Sequence, residues 1–518
     1  MRLDKDLQSV QEVRLLVEKA ANAQQILASY NQERLDEICA EMARIAENNA
    51  EKLAKMAHEE TGYGVWQDKV RKNLLASRDT WAHAKLQKVV GVLRSDKERG
   101  LIEIGVPVGV IAAIIPSTNP TSTTIYKAIL SIKSGNAAVF SPHPAAQKSI
   151  AETVNLLRYA LIKTGTTEDA LQCIKTITPQ ATDALMKYPK TALILATGGE
   201  AMVKAAYSSG TPAIGVGPGN GPAFIERSAD VPQAVGDIIQ SKTFDNGVIC
   251  ASEQSIVVES VIALKVEQEL KKRGGVFLNK EDSGKLAEIL LRANGSMNPA
   301  IVGKSAVYIA QMAGINVPQD TKLLISKQIE VSAANPYSRE KLCPVLGYYE
   351  EPDWRSACER CMALLYNEGV GHTMSIHSAD QEVIREFSMK KPVSRLLVNT
   401  PAALGGVGAT TALPPAFTLG CGAIGGSATG DNIEARHLTN IRRVAWGQLR
   451  GQDSGYRSEE LEYRGQDTRY RVQDSGFSNE AENRNPQPEP ANNPNEFNVT
   501  QQQVAQITRE VYRRLSQL

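Results

Sequence analysis

Several things are missing from this 518-residue sequence, and each absence removes a class of function. It has no charge excess: 58 lysines and arginines face 57 aspartates and glutamates. A balance this close to neutral lacks the basic footprint that draws a chain to nucleic acid or to an anionic membrane surface, so neither is expected as a partner. It has no long hydrophobic run. The best stretch, from Val106 to Pro116, is about half of the roughly 20 residues that a membrane span needs. The opening MRLDKDLQSV lacks the apolar core of a secretory signal. The seven cysteines (Cys39, Cys173, Cys250, Cys343, Cys358, Cys361 and Cys421) follow no regular spacing. They suit reduced thiols in a cytoplasm-like compartment better than a disulfide framework. Cys358 and Cys361 are close, but with no second pair and no histidine cluster beside them, no zinc site is expected.

What is present alternates. Residues 5 to about 90 read as helices, with apolar positions three and four apart through Val10, Val13, Leu16 and Val17, and again through Leu35, Ile38, Cys39, Met42 and Ile45. VVGVLR and LIEIGV, around the charged turn SDKERG, predict a hairpin over 89–106. Short apolar strands then alternate with helices. VGVIAAII precedes a helix near Thr123 to Lys133, NAAVFS a helix from about Ala145 to Thr164, and LILATG a helix at Glu200 to Ser208. PAIGV leads into another loop. Continuous apolar strands with helical crossovers indicate buried parallel strands in a doubly wound α/β domain. A second series, SIVVE, KLLIS, MSIHS and RLLVN, indicates a second such domain. From residue 451 aliphatic side chains become rare and Gln, Asp, Asn, Arg, Gly and Pro dominate. Such a segment buries too little apolar surface to offset its ordering entropy, so a disordered linker is expected over 451–496. Over 497–518, Val504, Ile507, Val511, Leu515 and Leu518 form one helical stripe, with Thr500 and Gln503 spaced as a capping box. A lone helix of about 18 residues is marginal in water, so this one is expected to have a partner.

Three features carry chemistry. Cys250 lies in KTFDNGVICASEQS, just after an Asn-Gly turn and before a strand. Turn positions present side chains to clefts, and backbone N–H groups there can hold an anionic intermediate. A cysteine is otherwise a small buried apolar residue, and both readings of Cys250 stand at this point. Asn119, between a strand and Pro120 in IIPSTNPTSTTIYK, can offer its amide to an oxyanion or simply shape the turn. The stretches TGGEAM (197–202) and GVGPGNGP (215–222) follow strands and could let a dinucleotide approach the backbone, although neither matches GxGxxG.

In sequence order, the NP turn, FSPHP, ATGGEAMVKAAYSSG, PAIGVGPGN, FDNGVICASEQS, EKLCPVLG, GHT and FTLGCGAIGG resemble the aldehyde dehydrogenase superfamily. The resemblance is to its CoA-acylating branch, particularly the aldehyde-oxidising half of bifunctional alcohol/aldehyde dehydrogenases, and runs to about residue 450. It implies an aldehyde dehydrogenase-like α/β fold of two doubly wound domains, cofactor-binding and catalytic, with a small β oligomerisation arm. The implied boundaries are 1–240 for the NAD-binding domain, 241–430 for the catalytic thiol domain and 431–450 for an oligomerisation strand. It implies Cys250 as nucleophile, Asn119 as oxyanion donor and His372 as a catalytic histidine. It further implies a cofactor cradle of Pro116, Ser117, Ser141, His143, Gly198, Gly199, Gly215, Gly217, Glu340 and Leu419, with Glu340 on the nicotinamide ribose.

Two departures are informative. Hydrolytic members carry a glutamate that activates water against the acyl-enzyme, and Gly215 stands at about that place. A thioester without a nearby base for water survives to meet a better nucleophile, such as the thiol of coenzyme A. Ser141 replaces a lysine common in hydrolytic members, which favours NAD over NADP. The expected activity is oxidation of a short-chain aldehyde (acetaldehyde or propionaldehyde) to acyl-CoA and NADH through a cysteine thioester. The alternatives are a hydrolytic enzyme releasing free acid, the same site run in the reductive direction, and a non-catalytic scaffold on this fold. The terminal helix resembles the encapsulation peptides of bacterial microcompartment enzymes, which implies shell or co-encapsulated proteins as partners of 497–518. The expected location is the cytoplasm, inside a microcompartment lumen, and the expected assembly is a homo-dimer or homo-tetramer.

Overall fold

The computed structural model describes residues 4–447; the expected linker and terminal helix lie outside the described residues. The N-terminal helices form where the spacing predicts them, over Lys5–Leu27 and Gln32–Asn48. Val13, Val17, Leu35, Ile38, Cys39, Met42 and Ile45 are buried. Asn31 caps the second helix by accepting from the Arg34 N–H at 2.9 Å.

Fifteen strands are described: β1 (Gly91–Asp96), β2 (Leu101–Pro107), β3 (Val110–Ile115), β4 (Ala137–Pro142), β5 (Leu171–Cys173), β6 (Thr191–Thr197), β7 (Ala213–Val216), β8 (Gly221–Ile225), β9 (Glu253–Glu259), β10 (Gly275–Phe277), β11 (Leu323–Lys327), β12 (Val345–Glu351), β13 (Gly371–His377), β14 (Val393–Val398) and β15 (Thr439–Ala445). They make three sheets. The first is parallel in the order β5-β4-β3-β6-β7, and the second is parallel in the order β10-β11-β12-β9-β8-β13-β14. The third, β1-β2-β15, is antiparallel and joins the expected hairpin to a strand near the end of the described chain. Every residue of β3 and β4 is buried, as in sheets covered by helices on both faces.

One of those covering helices, Pro120–Lys133, is buried along its whole length. It contains Lys127, whose ammonium donates to the carbonyls of Ile114 and Leu195, both at 2.8 Å. The long side chain thereby satisfies its charge on strand backbone, and burial holds its pKa well below the ordinary lysine value.

The structure differs from expectation in one boundary. Strand β8 belongs to the second sheet, so the change of sheet falls at 217–220 and not near 240. GPAFI hides inside a Gly/Pro-rich stretch, which reads as loop although all five residues are buried. Among the described residues no helix is long and apolar enough to cross a membrane.

Candidate active site

From β3 the chain runs one way through β4 and β5 and returns to the other side for β6 and β7. The carboxyl ends of β3 and β6 therefore diverge, and at such switch points open α/β sheets bind ligands. A cavity of about 460 Å³ opens there, in the size range of small-molecule sites. Pro116, Ser117, Thr118 and Asn119 line it after β3, and Thr197, Gly198 and Gly199 after β6. Val216, Gly217 and Pro218 enter from the crossing between sheets, and Val248, Ile249 and Cys250 from the approach to β9. His143, Glu340 and Leu419 line it too; of the residues singled out from the sequence, Ser141, Gly215 and His372 do not. Tyr63, Met297, Pro299, Val302, Leu342, Val407 and Phe417 also line the cavity.

The turn before Cys250 is unusual. Asp245 and Asn246 both take left-handed φ values, 50° and 52°, which cost energy for residues with a Cβ. Asp245 is held in place from outside the turn. Its Oδ1 accepts from the Val65 N–H at 2.7 Å, and its Oδ2 accepts from Lys69 Nζ at 3.0 Å and Lys72 Nζ at 2.5 Å. The expected Asn-Gly turn is therefore present, but the residue that anchors it is Asp245.

On the other side of Cys250 runs the loop 217–220. A Cβ added to Gly219 would stand 2.0 Å from the Cys250 carbonyl oxygen, so only glycine fits. The Gly219 N–H donates to Glu340 Oε1 at 2.9 Å. Glu340 is itself fixed from behind, its N–H donating to Glu368 Oε2 at 2.6 Å. Burial raises the Glu340 carboxyl to about 8, against the pull of the Gly219 N–H. Burial also pushes the Cys250 thiol up to about 12, with the Glu340 charge adding to the rise and the Arg395 charge opposing it.

His372 is the second residue of β13 and is fully buried. It is absent from the cavity wall, but its ring lies 3.3 Å from the position a Gly219 Cβ would take, next to the Cys250 carbonyl. Nδ1 pairs with Thr373 Oγ1 at 2.9 Å, and Nε2 has no partner. Burial and then the Arg395 charge lower its pKa to about 3, so the ring is neutral at physiological pH. Arg395, also buried, donates to the carbonyls of His372, Gly420 and Gly430, to Thr373 Oγ1 and to Asn432 Oδ1.

Two of the residues singled out stand elsewhere. Ser141 is buried with its hydroxyl 2.9 Å from that of Thr182. Gly215 faces the helix Glu200–Tyr207, where a Cβ would meet Val203 at 2.7 Å and the Tyr207 ring at 2.9 Å. Lys69 and Lys72 carried no signal in the sequence, because they sit in a run of mixed charge that reads as solvated surface; Asp245 and Arg395 lie in the FDNGVICASEQS and RLLVN stretches, but nothing there marked these side chains as supports of the site.

The switch-point glycines suit a dinucleotide. A Cβ on Gly199 or Gly217 would meet nothing within 4 Å, so their bare backbone faces open cavity. Gly199 also caps the helix Glu200–Tyr207, whose N-terminal N–H groups favour a phosphate.

Two parallel sheets thus meet at a switch point whose cavity wall brings together a thiol, an asparagine side chain and bare glycine backbone. A model of the aldehyde dehydrogenase family matches residues 6–275, and the chain belongs to that family. It is 42% identical over 443 residues to the bifunctional aldehyde-alcohol dehydrogenase of Escherichia coli (strain K12), a match covering 84% of this chain and 50% of that protein. The chain thus spans about half the length of the curated relatives it matches first. Among solved structures it resembles an acetylating aldehyde dehydrogenase from Geobacillus thermoglucosidasius, with TM-score 0.85 and 48% identity over 88% of this chain and 100% of that one. It also resembles a propionaldehyde dehydrogenase from the fucose utilisation bacterial microcompartment of Clostridium phytofermentans, with TM-score 0.77 and 28% identity over 84% of this chain and 97% of that one.

Proposed function

We propose that this protein oxidises a short-chain aldehyde to an acyl-CoA, with NAD as hydride acceptor and a thioester on Cys250 as intermediate. The observation that carries the reading is the composition of the cavity wall: Cys250 and Asn119 share it, and Glu340 is the one acidic residue among the lining residues described. Glu340 has Oε1 engaged by the Gly219 N–H, and no second carboxylate stands on the described wall to activate water.

The Cys250 sulfur attacks the aldehyde carbon as its thiol proton passes to solvent, and the negative charge that develops on oxygen is received by the Asn119 side-chain amide and the Cys250 N–H. When bound, NAD would supply the hydride acceptor, and Glu340 and the loops at Gly198–Gly199 and Gly217 would hold it. Expulsion of hydride leaves the acyl group on Cys250 as a thioester. The CoA thiol then attacks, and Cys250 leaves as thiol. His372 supports this exchange from behind Cys250 as a neutral imidazole.

A second cavity, about 220 Å³, shares the apolar residues Ile249, Val407 and Phe417 with the first and has Arg71, Lys72, Arg78 and Asp79 elsewhere on its wall; its small volume suits an aldehyde of a few carbons such as acetaldehyde or propionaldehyde. The exposed Ile441, Val444 and Trp446 on and beside β15 support a homo-oligomer, dimer or tetramer, built through the antiparallel sheet. The apolar spacing of 497–518, with the microcompartment origin of one structural relative, supports encapsulation of the enzyme through this terminal segment.

The test is NADH formation from propionaldehyde and NAD with and without CoA, with the products identified by mass spectrometry. Strict CoA dependence with propionyl-CoA as product is expected. Equal NADH without CoA, with propionate accumulating, would mean that water reaches the thioester, and the hydrolytic reading would replace this one.

A further inference from the structure

Lys72 is a buried lysine with no part in the mechanism above, and its surroundings are specific. It comes from the helix Trp66–Leu74 and is 3% exposed. A lysine ammonium has three hydrogens, and each of these has an acceptor. Lys72 Nζ donates to Asn119 Oδ1 at 2.7 Å, to Asp245 Oδ2 at 2.5 Å and to the Val248 carbonyl at 2.9 Å. It thus joins the loop that carries the oxyanion donor to both ends of the turn leading to Cys250.

We propose that Lys72 is a positioning residue for the oxyanion site: it fixes which atom of the Asn119 amide faces the reacting aldehyde and polarises that amide toward stronger donation. The proposal rests on the functional reading given above.

Two physical arguments support it. The first is orientation. An asparagine amide can flip by half a turn, exchanging donor for acceptor, and an acceptor beside a developing oxyanion would repel it. A cation on Oδ1 removes that freedom, because a flipped amide would set N–H groups against an ammonium. Nδ2 is then directed away from Lys72, with Thr118 Oγ1 at 3.3 Å as its near neighbour. Asn119 keeps its place on the wall of the cavity that also holds Cys250.

The second is charge. A cation bonded to the amide oxygen draws electron density from nitrogen and strengthens its N–H as a donor, and charge-assisted bonds of this kind are about twice as strong as neutral ones. The buried cluster of Lys69, Lys72 and Asp245 has one cation in excess, with Asp68 accepting from the Asp245 N–H at 2.8 Å at its partly exposed edge. Little solvent stands between that excess and Asn119, and a preorganised positive field is what a developing oxyanion needs. Burial, opposed by the Asp245 charge, lowers the Lys72 pKa to about 8, which leaves the ammonium mostly charged at neutral pH.

The experiment is a double-mutant cycle on the full-length enzyme, comparing Lys72→Met, Asn119→Ala and both together, with the single-turnover burst of NADH from propionaldehyde as readout. Lys72→Met is expected to slow the burst roughly 10- to 100-fold, below the loss of about 10²- to 10³-fold expected for removing the donor itself. In the Asn119→Ala background the same change is expected to cost less than about threefold, because the amide through which Lys72 acts is gone. The rate of Cys250 alkylation by iodoacetamide is expected to stay within about twofold, since the thiol does not depend on the amide. If the two losses multiply, or if alkylation falls in step with the burst, Lys72 acts only as a brace for the turn and the proposal is overturned. If Asn119→Ala costs nothing while the wild type turns over normally, the oxyanion assignment falls and the proposal with it. A wild type that oxidises no aldehyde instead overturns the functional reading. Should Lys72→Met fail to fold, Lys72→Gln keeps an N–H donor without the charge and is expected to lose about tenfold, again only while Asn119 is present.

Discussion

At the scale of single residues, the site is governed by how burial sets protonation. Cys250, with a thiol pushed to about 12, is held as thiol until the reaction draws its proton away. Replacing it by alanine is expected to lower aldehyde-dependent NADH formation roughly 10⁴-fold or more while leaving the fold intact, as measured by steady-state kinetics and circular dichroism. Glu340 gives a dependence on pH with a definite sign. Its carboxyl rises from 4.5 to about 8 in the folded protein, so over that interval the folded state keeps a proton that the unfolded chain has released. The stability it contributes is full below the lower value and is lost as pH rises through the upper one. Glu253, raised to about 7 by burial, acts in the same direction. Glu340→Gln, which cannot titrate, is expected to make the fall in Tm across this interval shallower, as read by thermal melts at a series of pH values. An unchanged slope would show that the carboxyl is ionised in the folded enzyme.

At the scale of elements, the loop 217–220 does three things in four residues. It carries the chain from one sheet to the other, passes against the Cys250 backbone and orients Glu340. Gly219→Ala places a methyl group 2.0 Å from the Cys250 carbonyl oxygen, and that atom is backbone, which cannot swing aside. The expected results are a loss of about 1–3 kcal/mol in urea unfolding and a fall in turnover of roughly 100-fold or more, because the thiol loop must shift. Gly284, on the exposed side of the helix Lys280–Leu290 with nothing near its Cβ position, provides the control, where alanine is expected to be neutral or slightly stabilising.

The same scale separates what the sequence made legible from what it did not. Apolar spacing in the N-terminal helices and unbroken apolar runs at β3, β4, β6 and β9 are direct records of burial, and those elements lie where the patterns put them. Strands β5 and β10 are three residues long, too short for a period, and β12 reads VLGYYEE, whose polar end disguises a strand lying inside its sheet. The NP turn, the glycine stretches and Cys250 are local signals, and they converge on one cavity. Lys72 is different in kind. In WQDKVRKNL it looks like one more charge on a solvated face, and its role depends on Asn119 and Asp245, 47 and 173 positions away. Such contacts exist only after folding, so no pattern in the helix itself could reveal them.

At the scale of the whole molecule, the described fold contains all the chemistry proposed for it. A chain truncated after residue 450 is expected to keep CoA-dependent turnover within about twofold, while losing co-purification with microcompartment shell proteins when the two are co-expressed. Loss of folding on truncation would instead make the terminal region part of the enzyme body and would sink the encapsulation reading.

The pairing of β2 with β15 also sets an order of events during synthesis. A ribosome releases the strands of the first sheet by residue 216, and domains tend to fold as units from the N-terminus during translation. The antiparallel sheet cannot close in the same way, because Ile104 of β2 waits for Arg442 of β15. Until then β2 has only β1 beside it, and its other edge is open to strands of neighbouring nascent chains. Completion of the arm therefore acts as a timer: the open edge of β2 closes only once β15 has been made, after every strand of both parallel sheets.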